Sequence, residues 1–391
     1  MSGISHRRFW KLHLICFTLW LSSCVGRKMP MGSIGGDPEV ISFDPGNFRS
    51  YPSEEIFDSV YYVPLVTKPG DSLSDISRLF VNQSFIYVAN FSQNKIFLFD
   101  HTGEELRALD RSGFDTDQYV SMQDVSFFNE CFTVFDQTKG GLYSYDYNGV
   151  FIGAAKINSP EKSGASFVHC RGRYYFDREN VTGPLLDGKN IALFDSIGLT
   201  YDSSYIPIHR RFENISVRSK RSMLTWMDSV FFVPSFTKYI YAFSGDQERA
   251  RYELKVPSDL ALTDAEWNIP RTEKDLTAVM DLMKQRKTVG LFDNLDIGPQ
   301  FVIFNFFCSS YKTMIYSKSS KSAKVFDGYT YKNGISGCYY PLQIAGNYGQ
   351  WLIGFLDGGF AQSLRKDGQE LPNDNRVGNS PVLVFFKLKS F

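Results

Sequence analysis

Apolar residues along this chain come in short bursts separated by turn residues, and only one stretch shows helical spacing. The clearest burst is Lys95-Ile96-Phe97-Leu98-Phe99, closed by Asp100-His101-Thr102-Gly103. It is dense in β-branched and aromatic residues and too short for a helix, which predicts a strand. Asp100 suits the first position of a turn, where its carboxylate accepts from amides ahead; Gly103 suits the last, where positive φ is often needed. Nearly the same text returns around Leu142 (Gly141 to Gly149) and Ile191 (Asn190 to Gly198), 46 and then 49 residues further on. Tyr239-Ile240-Tyr241-Ala242-Phe243 keeps the strand after another 49 and loses the Asp. Looser copies are 312–316 and 381–386, and an apolar strand precedes every copy.

A period near 45–50 with several strands per unit predicts an all-β fold, a six-bladed β-propeller. A two-layer β-sandwich with coincidental spacing is the alternative. The strand at 381–389 has no outer strand following it, whereas Asp58–Val66 alternates and carries an edge-marking Pro64. These two segments are expected to pair, closing the ring head to tail and tying down both ends of the chain.

The interval from Ile240 to Met314 is 74 residues, and the extra length is a helical insertion at about 257–289. Pro257-Ser258-Asp259-Leu260 and Thr263-Asp264-Ala265-Glu266 read as helix starts. Leu276, Val279, Met280 and Met283 fall three and four apart and predict a helix over 272–287. A second insertion, Ala361–Ser380, separates the last two strands. Such insertions map to one rim of a propeller, often the binding one.

The N-terminus gives an address. Arg7, Arg8 and Lys11 precede a largely apolar core from Leu12 to Leu21, too short to span a bilayer. It ends in Leu21-Ser22-Ser23-Cys24, which resembles the bacterial lipobox. Residues 1–23 are therefore expected as a lipoprotein signal peptide, Cys24 as the lipidated residue, 24–57 as a flexible tether and 58–391 as the propeller. The basic Val25-Gly26-Arg27-Lys28 leans toward the periplasmic face of the outer membrane rather than the cell surface.

Composition narrows the partners. Lys+Arg and Asp+Glu both number 42 and cleavage at residue 23 leaves about −3, so no charge excess points to nucleic acid. The membrane is expected to be met through the lipid alone and the chain to be a monomer. Aromatic content of 16% suits many stacked sheets.

Asp58–Val66, the unit at 95–103 and the terminal 380–389 together resemble the six-bladed β-propeller lipoproteins of gut Gram-negative anaerobes, over roughly residues 58–391. The resemblance implies fold and address; its motifs mark architecture, not chemistry. Members commonly carry a Gly-x-Gly-Pro-Gly-Glu-Tyr-like loop after the first blade. Here Gly113-Phe114-Asp115-Thr116-Asp117-Gln118-Tyr119 keeps Gly113 and Tyr119 and lacks the Pro and the acid.

No recognised catalytic constellation appears. His101, His169 and His209 lie far apart in the sequence, and no Cys-x-x-Cys exists. Cys131, Cys170, Cys308 and Cys338 allow three disulfide pairings or none, and buried thiols in strands are the simpler reading. No cofactor is expected; Asp115-Thr116-Asp117 and Asn373-Asp374-Asn375 only glance at calcium loops, lacking the Gly and later Glu. Arg210, Arg211, Arg218, Lys220 and Arg221 form a basic run that could hold an anion or simply lie in solvent. Innermost propeller strands open on the axial channel, which singles out Asp75, Gln123, Asp124, Asn294 and Asp296 as polar residues at its mouth. They could serve chemistry or merely cap strands.

Two functions follow. The chain is a lipid-anchored binding module for a protein or glycan partner, or a channel-sited hydrolase or lyase of the propeller lactonase type, with calcium as its possible ion. Three convergent carboxylates would favour the enzyme. Acids paired off with neighbours would favour binding.

Overall fold

The structure, a computed structural model, describes residues 37–46, 49–128, 131–158, 164, 166–181, 188–208, 212–215, 221–244, 247–261, 276–330, 344–359, 361 and 380–391. From Pro38 on, these residues belong to one compact unit, Pro38–Phe391. The chain enters through β1 (Glu39–Ser42), β2 (Arg49–Pro52) and β3 (Phe57–Pro64). It then lays down the sheets in order. Blade one is β4 (Arg78–Val81), β5 (Ile86–Asn90), β6 (Lys95–Phe99) and β7 (Glu105–Asp110). Blade two is β8 (Asp124–Phe128), β9 (Cys131–Asp136), β10 (Gly141–Asp146) and β11 (Phe151–Lys156). Blade three is β12 (Ser166–Cys170), β13 (Arg173–Asp177), β14 (Lys189–Asp195) and β15 (Tyr201–Pro207). Blade four is β16 (Met223–Trp226), β17 (Ser229–Phe232), β18 (Tyr239–Ser244) and β19 (Gln247–Lys255). Blade five is β20 (Gly290–Ile297), β21 (Phe301–Cys308), β22 (Ser310–Ser317) and β23 (Ser322–Thr330). Blade six is β24 (Ile344–Tyr348), β25 (Trp351–Leu356), β26 (Val382–Leu388) and, as its outer strand, β3.

The protein is a six-bladed β-propeller closed as expected. β3 runs antiparallel to β26, with Pro64 opposite Val382, Tyr61 opposite Phe385 and Phe57 opposite Leu388. Inner strands adjoin around the ring, β24 beside β4, β8 beside β12, and β12, β16, β20 and β24 in succession. Apolar residues on both faces of each blade follow from this arrangement. Six buried clusters fill the six interfaces, such as Ile96, Leu98, Phe132 and Tyr145 between blades one and two, or Leu224, Ile240, Phe304 and Met314 between four and five. Each such side chain contributes about 1.5–3 kcal/mol when fully buried, more than a surface ion pair does. Face-to-face burial therefore holds the ring.

The recurring turn works as its residues suggest. The Asp100 carboxylate accepts from the Thr102 amide at 2.8 Å and the Glu104 amide at 3.1 Å. Asp146 and Asp195 do the same for their own turns. Gly103 has φ +88°, and a Cβ there would lie 2.0 Å from the Pro64 carbonyl oxygen. The turn of blade one thus seats the closing strand of blade six.

Two expectations are corrected. Glu39–Ser42 and Arg49–Pro52, assigned to the tether, are built into the propeller: β1 pairs parallel with β19, and β2 parallel with β23. Ile41 is fully buried by this pairing. Pro257–Leu260 is a hydrogen-bonded turn, the Leu260 amide donating to the Pro257 carbonyl at 3.0 Å, rather than a helix start. The helix itself spans Leu276–Arg286. Its Met283 and Met280 pack on Phe212, Ile215, Phe236, Leu291 and Phe307. Residues 1–36 with Cys24, residues 263–266, Asn373–Asn375 and Cys338 lie outside the described residues.

Gly103→Ala is expected to destabilise by at least about 2 kcal/mol, because the new methyl meets backbone in a conformation that L residues disfavour. A lowered urea midpoint checks this. An unchanged midpoint would mean that the seat is not tight.

Candidate functional site

Every inner strand is the first of its blade, so strand entrances crowd one face of the axis. A cavity of about 530 Å³ opens there, lined from all six blades. Its walls mix aromatic rings, Phe80 and Phe127 stacked 5.2 Å apart, with Arg78, Asp124, Ser166, Arg221, Asn294 and Asn347.

Asp124, Asp177 and Asp296, in and around this site, staple blades to one another. Arg78 Nε of blade one meets Asp124 of blade two at 2.8 Å. The other Asp124 oxygen accepts the Phe167 amide of blade three at 2.9 Å. Asp177 of blade three accepts the Ser222 hydroxyl, at the threshold of blade four, at 2.5 Å. Arg221 next to it reaches Asp296 of blade five at 3.4 Å. Asp296 also accepts from the Asn347 amide of blade six at 3.0 Å. With its amide turned to satisfy both ends, Asn294 donates to the Ile344 carbonyl and accepts from the Ile344 amide, a second link from blade five to six. Between blades six and one, Gly346 lies against Leu79, where a Cβ would make an ordinary contact 3.4 Å from the Leu79 carbonyl oxygen.

Of the five channel residues expected from sequence, Asn294 lines this cavity and Asp124 does so while fully committed to its partners. Asp296 lines a second cavity of about 440 Å³, with Trp226, Phe301 and Trp351. Asn347 borders both, so the Asp296–Asn347 bond lies where the two meet. Asp75 accepts a long bond from Ser77, at 3.4 Å, and the Gln123 backbone N–H donates to the Phe135 carbonyl. The three acids do not converge. Of the basic run, Arg221 belongs to the channel ion pair, and Arg210, Arg211, Arg218 and Lys220 lie outside the described residues.

Sequence reasoning missed Arg78, Ser166 and Asp177. Arg78 follows Ser77 in an unremarkable run, and nothing short of a blade register points it at Asp124. The Ser166 hydroxyl is buried against the cavity with no hydrogen-bond partner. Among the described residues, no three of His, Cys, Asp and Glu gather as metal ligands. Cys131, Cys170 and Cys308 are free thiols, the latter two buried. In the loop of 113–119, Gly113 donates to the Tyr119 carbonyl and the Tyr119 hydroxyl to the Asn94 carbonyl, so the two family residues close the loop and tie it to blade one.

Burial raises the carboxyl of Asp124 even against the Arg78 attraction. Burial also pushes Asp177 up to about 6, outweighing the Ser222 and Glu179 hydrogen bonds, with the Glu179 and Asp124 charges adding to it. The folded state thus holds this proton more tightly than the unfolded chain, whose carboxyl titrates near 3.8. Stability from this group is gained as pH falls from about 6 toward 4 and is lost as pH rises. Asp177→Asn should remove this slope, of order 2–3 kcal/mol in total. Urea midpoints at pH 5 and pH 7 compare the two; parallel profiles would show that Asp177 does not titrate there.

Comparisons with known proteins agree with the architecture. A Bacteroides fragilis protein described as exported superposes with a TM-score of 0.70 at 11% identity, over 90% of this chain and all of its own. A member of the DUF4221 family from Bacteroides vulgatus gives 0.52 at 10%, over 86% and 98%. A virginiamycin B lyase from Staphylococcus aureus is a looser likeness, 0.43 at 10%, over 83% and 98%. No curated protein matches the sequence. A family model described as a domain of unknown function matches residues 40–378, taking in β2 and most of β1 and ending between β25 and β26 of blade six. The chain belongs to that family, DUF4934.

Proposed function

We propose that this protein is a lipid-anchored binding module of the cell envelope, and that its axial channel receives the ligand: a small molecule, or the end of a protein or glycan partner. Cys24 after its apolar leader supports the anchor, and the basic residues following it favour the periplasmic face of the outer membrane. No described helix is long and apolar enough to cross a membrane. The observation that carries the binding reading is the 530 Å³ cavity itself, in the size range of small-molecule sites, with aromatic walls and a few fixed polar groups. Its lining balances Arg78 and Arg221 against Asp124 and Asp293, with Arg78 paired to Asp124 and Arg221 reaching Asp296 of the neighbouring cavity. A site so arranged orients a ligand by hydrogen bonds and shape rather than by net charge. Asp124 and Asp296, spent on stapling blades, are not poised as general acid and base, which weighs against the hydrolase or lyase reading.

Ligand-observed NMR with a mixed library of neutral, acidic and basic fragments tests this. Hits should vanish in Ser126→Trp and Thr225→Trp, two plugs from cavity-lining positions, each with an unchanged unfolding midpoint. Hits indifferent to both plugs would sink the channel as the site. Excess calcium should leave the midpoint where it is; a rise would revive the enzyme reading, since a specific ion stabilises by mass action.

A further inference from the structure

The second cavity, of about 440 Å³, is also within the size range of small-molecule sites. Three blades build it. Blade four gives Trp226, the last residue of β16. Blade five gives Asp296 and the turn Gly298-Pro299-Gln300 between β20 and β21. Blade six gives Asn347 of β24, the turn Gly349-Gln350 and Trp351, the first residue of β25. A Cβ built on Gly298 or Gly349 meets nothing within 4 Å, so both turns stand clear of their neighbours.

Both indoles are half-buried and braced. The Lys318 ammonium lies 4.5 Å from the centre of the Trp226 ring and is anchored on the Gly298 carbonyl at 2.7 Å. Tyr61 meets Trp351 edge-on at 4.9 Å and stacks on Phe385 at 4.6 Å. Gln300, Asn347 and Gln350 line the same space and are exposed. The lining carries one acid and one base, and each has a partner. Asp296 accepts from Arg221 at 3.4 Å and from Asn347 at 3.0 Å, and Lys387 reaches Asp58 at 3.5 Å.

We propose that this cavity binds a neutral pyranose unit of a glycan, in contact with Trp226 and Trp351 and with its hydroxyls bonded to Gln300 and Gln350. A pyranose has an apolar face of C–H groups and an edge of hydroxyls that both donate and accept. Indole surface suits the first, and carboxamides, each donor and acceptor at once, suit the second. A hydrocarbon chain would use none of the three carboxamides. An ionic ligand would find both charged side chains already engaged. The site is separate from the channel and does not depend on the channel reading.

Saturation-transfer NMR and tryptophan fluorescence on the full mature chain test it, with gluco-, manno- and galacto-configured trisaccharides as probes. At least one should receive transfer at its ring C–H protons and change the tryptophan emission. Trp226→Ala and Trp351→Ala should each weaken that binding about tenfold. The exposed Gln300→Ala, Gln350→Ala pair should weaken it with an unchanged unfolding midpoint, and decides the matter where a tryptophan variant fails to fold. The channel plug Ser126→Trp should leave binding intact. No transfer to any of the three sugars would overturn the proposal, as would binding that survives the glutamine pair or either folded tryptophan variant. Binding lost in Ser126→Trp would also overturn it, placing the sugar in the channel and leaving the channel reading standing.

Discussion

No blade of this protein can hide both of its faces by itself. Val88 and Phe97 turn to one neighbour, and Tyr87 and Ile96 to the other, so each sheet needs two companions. The only arrangement that gives every sheet two companions is a closed ring. Closure in turn needs a strand from the start of the fold beside a strand from its end. The antiparallel register of β3 on β26 supplies it, and Gly103 beneath Pro64 keeps that joint close.

Ring closure explains why the buried acids sit where they do. Six strands entering one axis bring backbone amides and side chains of adjacent blades within hydrogen-bond reach, in surroundings where an unpaired polar group is costly. Asp124, Asp177 and Asp296 each satisfy partners on a neighbouring blade. They fix the angular order of the blades while apolar faces provide most of the cohesion. The described lining of the channel carries two arginines, Arg78 and Arg221, and two aspartates, Asp124 and Asp293, among its apolar and aromatic residues.

Much of the fold was legible in the chain. Alternation of Ile96-Phe97-Leu98-Phe99 with an Asp-x-x-Gly turn is local physics, and its return near every 46–49 residues is a property of the text. The pairing of 57–64 with 382–388 was legible as well, because one unit lacked an outer strand and one strand lacked a unit. The roles of β1 and β2 were not. Glu39–Ser42 and Arg49–Pro52 are four residues each, within a Gly- and Pro-rich run that reads as linker. Only the open edges of β19 and β23 make strands of them. The candidate site was partly legible: Asp124 and Asp296 were found as polar residues at inner strands, but not that Arg78 and Arg221 meet them.

The sequence by itself determined the repeat, the turn chemistry, the need for a ring and the residues that join its two ends. Each follows from short-range preference or from apolar faces that must find cover. Tertiary structure alone decided which side chains meet across blades, where the cavity opens and which edges are left uncovered. Those outcomes depend on the rotation and register of one sheet against the next. Contacts such as Arg221 to Asp296, 75 positions apart, are set by that geometry, and nothing in the spacing of residues along the chain encodes it.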